Sequence, residues 1–232
     1  MKVLVIVAHP DDEVLGCGGT IAWHVDQGHH VGIHVMAEGA TSRADKRNRV
    51  TMSTELETLH RCAREAADIL GASITFESYP DNRMDSIEFL DVVKSVERVI
   101  SSFQPERVYT HHAGDLNIDH RIVHSAVVTA CRPLPGHCVR SMLFFETPSS
   151  TEWQPSASGN VLFAPNWFVP IETCMERKLA ALRAYETEMR QFPHPRSIEA
   201  IEHLGSWRGA SIGVRYAEAF MLGRYLNIVT SV

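Results

Sequence analysis

The chain opens on an unbroken apolar run at residues 3–8, VLVIVA. A half-exposed strand alternates apolar and polar positions. A continuous β-branched run predicts a strand buried on both faces, at the centre of a parallel sheet. The period then changes: residues 13–26 have helical character, and Gly28 follows as a stop signal. HHVGIHVMAEG predicts a second strand ending near Ala37. Across residues 53–70, Leu56, Leu59, Ala63, Ala66, Ala67 and Leu70 recur at helical spacing, with Gly71 closing the segment. Strands over 73–79, 107–111 and 141–146 alternate with helices over 86–103 and 119–131. The Pro/Ser/Gly-rich stretch 147–160 predicts a surface loop, and FAPNWFVPI an edge strand or extended segment. Residues 171–191 predict a long helix with Leu179, Leu182 and Tyr185 inward. Residues 197–207 and 216–226 predict two closing helices.

This alternation implies right-handed crossovers between parallel strands. The expected fold is α/β, a Rossmann-like, mainly parallel sheet with helices on both faces, in a single domain spanning residues 1–232. A hydrophobic fraction of 44% with 22% charged residues supports a packed core and excludes wholesale disorder. Lys plus Arg is 22 against 28 Asp plus Glu, a net charge of -6, so no basic face for nucleic acid is expected. The cysteines (Cys17, Cys62, Cys131, Cys138 and Cys174) are odd in number and irregularly spaced, which argues against disulfides and a thiolate metal site. The opening apolar run is too short for a membrane span and lacks the flanks of a signal peptide. A cytoplasmic protein with a small-molecule partner and no membrane is expected, with a homo-oligomer left open.

The one unusual count is histidine, at 13. In an open α/β sheet, ligands bind beyond the carboxyl ends of the strands. Four such loops carry much of the polar chemistry: His9-Pro10-Asp11-Asp12-Glu13, Glu38-Gly39, Pro80 to Asp85, and His111 to His120. A His with two adjacent carboxylates, joined by a distant His in an Asp-rich loop, is a nitrogen/oxygen donor set that suits zinc, iron or manganese. One carboxylate can ligate while its neighbour accepts a proton from water. Each residue alone has a plainer use: Asp11 or Asp12 as a helix N-cap, a strand-end His as a surface residue. The five-residue string at the end of a buried strand favours the site. A receiver-type signalling domain also places an acidic pair after its first strand, but it requires a Lys after the fifth. Here that strand closes on Phe145-Glu146.

The strings AHPDDE at 8–13, GCGGT at 16–20, THHAGDLNIDH at 110–120 and PHPRS at 193–197 resemble the LmbE/PIG-L family of metal-dependent N-acetylglucosaminyl deacetylases, essentially end to end. The resemblance implies an LmbE-like three-layer sandwich and a zinc site, with iron as the alternative. It implies His9, Asp12 and His120 as metal ligands and Asp11 as general base. Asp119 follows as a residue holding its loop, and Asp81 as one that orients the catalytic group or substrate. The sequence departs from the pattern at Asn117, where several members have a His. His112 and His194 are the candidates, on position and chemistry, for the oxyanion or proton-transfer group. His124, four residues after His120, is expected behind the ligands. Arg43, Arg83 and Arg196, with Asn117, are expected at the substrate, and Trp153, Trp167 and Phe168 as an aromatic wall. His24, His29, His30, His60, His137 and His203 are expected at the surface, and His34 within its strand.

The expected activity is removal of the N-acetyl group from an amino sugar or its nucleotide-, lipid- or glycoside-linked conjugate. The alternatives are an amidase for another small amide or thiol conjugate, and a non-catalytic sugar- or nucleotide-binding module.

Overall fold

The computed structural model describes residues 1–155, 159 and 161–227. Of the predicted loop 147–160, residues 156–158 and 160 lie outside the described residues. Strands β1 (Lys2–Val7), β2 (His30–Ala37), β3 (Ser73–Tyr79), β4 (Arg107–His111), β5 (Ser141–Phe145), β6 (Trp167–Pro170) and β7 (Ala217–Tyr225) form one sheet, in the order β3-β2-β1-β4-β5-β7-β6. The first five are parallel, while β7 pairs antiparallel with both β5 and β6. Helices α1 (Asp12–Asp26), α2 (Ser53–Leu70) and α5 (Met175–Ala184) pack together, as do α3 (Phe89–Phe103) and α4 (Ile118–Ala130). The last helix, α6 (Ile198–Ala210), packs on β7.

The apolar run of β1 explains its central place. Val3, Val5 and Val7 enter the core formed with α1, α2 and α5, and Leu4, Ile6 and Ala8 the core formed with α3 and α4. A strand with a helix layer on each face has no polar register. Burying each such side chain contributes roughly 1.5–3 kcal/mol. Strand order reverses at β1, which has β2 on one side and β4 on the other, so the loops after β1 and β4 diverge around a crevice at the carboxyl edge.

Two predicted elements differ. Residues 216–226 are not a helix but strand β7, inserted between β5 and β6. The segment is rich in helix formers, but pairing on both edges decides its conformation, as tertiary context does when propensities are weak. The helix predicted over 171–191 is only Met175–Ala184. The chain turns at Tyr185, which is buried as predicted but directs its hydroxyl to Glu13.

The glycine-rich GCGGT is packing, not an anion cradle. A Cβ on Gly16 would meet the Phe145 ring at 2.3 Å, and one on Gly19 would meet Ile171 at 2.6 Å. Helix α1 breaks its geometry at Cys17, with φ -151°. Just past the break, the N–H groups of Gly19 and Thr20 donate to Glu218 at 3.0 and 2.6 Å. Lys178 donates to the same carboxylate at 2.5 Å and to the Leu15 carbonyl at 3.0 Å. A buried ion pair from the C-terminal half thus caps the second segment of the helix whose first turn carries the acidic motif.

Candidate metal centre and active site

His9, Asp12 and His120 offer ligand atoms that all lie within 4.8 Å of one another. His9 ends β1, Asp12 begins α1 and His120 lies in the first turn of α4, so the strand-order reversal brings them together. Each imidazole has one nitrogen toward Asp12 and the other on a second carboxylate. His9 Nδ1 is 3.4 Å from Asp12 Oδ2, and its Nε2 is 3.1 Å from Asp119 Oδ2. His120 Nε2 is 3.3 Å from Asp12 Oδ2, and its Nδ1 is 3.0 Å from Asp115 Oδ1. A carboxylate on the outer nitrogen fixes a ligand histidine's tautomer and raises its basicity. His9, Asp81 and Asp119 form a second group of the same dimension, which shares His9 through Nε2.

The outer carboxylates are themselves held. Asp119 accepts from the N–H groups of Asn82 and Met84 at 2.7 and 3.0 Å, tying α4 to the loop after β3. Asp115 accepts from Thr151 Oγ1 at 2.6 Å, and the Ser150 hydroxyl also donates to it. Asp12 Oδ2 accepts from the His9 N–H at 2.8 Å, while Asp12 Oδ1 is buried without a hydrogen-bond partner among the described residues. A buried carboxylate oxygen left without a donor is costly unless it meets a cation.

Charge points the same way. Burial opposes ionisation of Asp12, but His120 and His111 beside it hold its pKa well below the usual carboxylate range. Burial likewise opposes charge on His120, yet Asp12 and Asp115 raise its pKa to about 9. His9 is also raised, the hydrogen bonds to Asp119 and Asp12 outweighing its burial. These carboxylates call for positive charge, which either protons on the two imidazoles or a divalent ion in their place supplies. Two imidazoles and a carboxylate without thiolates form the donor set of an open, catalytic metal site.

Asp11 stands beside this group without belonging to it. Its backbone is left-handed, with φ 108° and ψ -29°, a conformation that costs a non-glycine residue on the order of 1–3 kcal/mol. The Asp11 N–H donates to Glu13 Oε2 at 3.1 Å, and the Tyr185 hydroxyl donates to Glu13 Oε1 at 2.5 Å. Its side chain accepts from Arg196 Nη1 at 2.9 Å. Burial raises Asp11 to about 7 even against the Arg196 charge, and raises Glu13 to about 8.

The other predicted residues divide. Asp81 lies 3.3 Å from His9 Nε2 and accepts from the Ser42 N–H. Asn117 caps α4 through the Asp119 N–H at 2.8 Å and donates to Asn82. Arg196 sits at Asp11, but Arg43 is bound to both oxygens of Glu188 at 2.5 and 2.7 Å, and Arg83 reaches the Asp45 carbonyl at 3.4 Å. His124 binds the His111 carbonyl at 2.9 Å and packs on Phe144. His112 binds the Val161 carbonyl at 2.7 Å, where a Cβ on Gly114 would collide with the same oxygen. His194 accepts the Arg196 N–H at 3.0 Å and meets Trp153 edge-on. Among the described residues, neither His112 nor His194 hydrogen-bonds the ligand group. Trp167 packs against the core with Arg107 over its ring.

Sequence reasoning missed Asp115, Glu13, Tyr185 and His111. His111 is fully buried, stacks on His120 at 3.9 Å and accepts the Ala8 N–H on Nε2 at 2.9 Å. Burial and the neighbouring His120 keep it well below the usual imidazole pKa, so it supports His120 as a neutral ring. His24 is likewise not at the surface: it is buried against Tyr109, at 2.9 Å from the hydroxyl. The alternation of Asp115, Asn117 and Asp119 with apolar residues in GDLNID was the signal available for Asp115.

A sequence profile of the PIG-L family, described as GlcNAc-PI de-N-acetylase, matches residues 4–131. An uncharacterized deacetylase of Escherichia coli, YaiS, is 31% identical over 192 residues, covering 80% of this chain and 90% of that protein. The 4-oxalmesaconate hydratase of Pseudomonas putida is 27% identical over 192 residues, covering 78% and 72%. Among solved structures, the N,N'-diacetylchitobiose deacetylase of Pyrococcus horikoshii superposes with a TM-score of 0.75 at 23% identity, over 96% of this chain and 84% of that one. Among the described residues, no helix is long and apolar enough to cross a membrane.

Proposed function

The chain belongs to the PIG-L family, and on that premise we propose that it is a metal-dependent hydrolase that removes the N-acetyl group from an amino sugar or its conjugate. The observation that carries the reading is the convergence of two carboxylate-backed imidazoles on Asp12 Oδ2, while Asp12 Oδ1 has no hydrogen-bond partner among the described residues, with Asp11 alongside. His9, Asp12 and His120 would hold the ion, zinc being the metal such a set suits and iron the alternative. When bound, the ion supplies Lewis acidity toward the amide carbonyl and toward water.

Asp11 is the base. It is a separate carboxylate from the ligand Asp12, so it is free to take a proton from the attacking water. The Arg196 guanidinium holds it in place, and Glu13 holds the strained backbone from which it projects. As the water oxygen bonds to the carbonyl carbon, its proton passes to Asp11. As the carbon–nitrogen bond breaks, Asp11 returns the proton to the departing nitrogen, leaving acetate and a free amine. In the metal-free protein burial lifts Asp11 to about 7 while the Arg196 charge lowers it, so the two act in opposite directions on its proton.

A second reading, hydration of a carbon–carbon double bond, is favoured by the Pseudomonas putida relative. It also needs activated water and a base. Acetate release from a panel of N-acetylated amino sugars decides between them. Release that stops on chelation and returns with added metal supports the deacetylase. Hydration of an unsaturated dicarboxylate without acetate release overturns it.

A further inference from the structure

We propose that the substrate is an N-acetylated amino sugar carrying an uncharged ring with an apolar face, and that this ring binds in the cavity beside Arg196. The inference rests on the deacetylase reading and narrows it to neutral glycosides. Two independent observations carry it.

The first is the cavity, of about 250 Å³, walled by Pro148, Pro193, Pro195, Ala200 and Leu204. It falls below the roughly 300–1,000 Å³ of a whole-ligand pocket and suits one ring of a larger ligand. Arg196 joins it to the reacting centre, donating to Asp11 at 2.9 Å and through Nε to the hydroxyl of Ser149, the neighbour of Pro148, at 2.7 Å. Proline has no N–H, so three of the five walls offer an anion no backbone donor. Trp153, 49% exposed, stands on His194 between the two C-terminal prolines of this wall. The polar groups that also line the cavity are carboxylates. Glu146 is held by Arg208 through two bonds of 2.7 Å, and Glu152 accepts the Ser149 N–H at 2.7 Å. An apolar wall with acid at its edge disfavours a phosphate.

The second observation concerns the arginines around the site. Arg43 is held by both oxygens of Glu188, and Arg47 and Arg49 by Glu38. Arg121 is committed to the carbonyls of Asp115 and Leu116, and Arg196 to Asp11. Turning Arg43 toward a phosphate would strip Glu188, which is 6% exposed, of the guanidinium that holds it, and turning Arg47 would leave Glu38, 1% exposed, on Arg49 alone. These five forks are therefore already engaged in holding the rim, and Arg83, which reaches the Asp45 carbonyl at 3.4 Å, does not line the cavity.

The test compares four probes: N-acetylglucosamine, its phenyl glycoside, N,N'-diacetylchitobiose and N-acetylglucosamine 1-phosphate. Acetate release is expected with kcat/KM at least about tenfold higher for either ring-bearing compound than for the free sugar, and lower for the phosphate. The phenyl and disaccharide arms distinguish an aryl aglycone from a second sugar. Ala200→Trp, which fills the cavity, should bring the ratio of ring-bearing to free sugar close to one, and Leu204→Gln should lower it. A phosphate ester turned over as well as the ring-bearing compounds, or a ratio unmoved by Ala200→Trp, overturns the proposal. If no sugar is turned over, the deacetylase reading fails and calorimetric binding of the same probes decides. Tighter binding of the ring compounds that Ala200→Trp removes upholds the subsite, and an equal or phosphate-led order overturns it.

Discussion

The two halves of the rim are built differently. On the N-terminal side, His9, Asp12, Asp119 and His120 come from the segments that follow β1 and β4, are nearly fully enclosed and have a partner for almost every polar atom. On the C-terminal side, most of the described residues between Glu146 and Ala200 lie in loops, with Trp153 and Phe192 half exposed and an apolar cavity between prolines. The family profile ends at residue 131, so it covers the first half and not the second. The first half has the character of a preorganised reaction centre, where placement must be held tightly. The second has that of a surface that selects what reaches it. The halves meet at Arg196 and Tyr185, which reach back to Asp11 and Glu13.

Substitutions on the N-terminal side should have the largest effects. Asp12→Ala is expected to lose bound metal and to reduce kcat/KM by about 10³-fold or more. Metal analysis beside acetate release checks this; full metal content would break the ligand assignment. Asp11→Asn should lower kcat by about 10²–10⁴-fold with metal retained. Equal metal loss in both variants would erase the distinction between ligand and base.

The next effect tests dependence of the first half on the second. Lys178→Met leaves Glu218 buried without its cation and should cost about 3–5 kcal/mol of stability in denaturant unfolding. An unchanged midpoint would mean that the kink of α1 holds itself. Tyr185→Phe removes one hydroxyl from Glu13 and should reduce kcat by about 10–100-fold with little change in KM. A rise in KM alone would place Tyr185 with the substrate.

The last effect is on pH. In the metal-free protein, burial lifts Asp11 from its ordinary 3.8 to about 7. The folded chain therefore keeps a proton that the unfolded chain has lost, so this group's stabilising contribution is fully present below about 4 and is lost as pH rises toward 7. The slope is at most about 1.4 kcal/mol per pH unit. Asp11→Asn should flatten that part of the unfolding profile, and an identical profile would place Asp11 in solvent.

The same division governs what could be read from sequence. The run VLVIVA identified the central strand because both faces demand apolar residues, and AHPDDE marked the rim because chemistry and strand end coincide. Strand β7 was misread as a helix because its place comes from two neighbours distant in sequence. Helix α5 stops early because Tyr185 and Glu188 leave helical geometry for partners at Glu13 and Arg43. His111 was passed over because stacking on His120 leaves no spacing signature, and Asp115 because the alternation that carries it does not say which of its residues meets His120.

The central claim is that His9, Asp12 and His120 hold a metal for deacetylation while Asp11 moves the proton. The most direct measurement is acetate release from an N-acetylated amino sugar by wild type and Asp11→Asn, each stripped of metal and then reloaded, with bound metal counted per chain. The account predicts that both take up the metal, that wild type regains acetate release on reloading, and that Asp11→Asn does not. Undiminished release from the stripped wild type, or full release by reloaded Asp11→Asn, would contradict it.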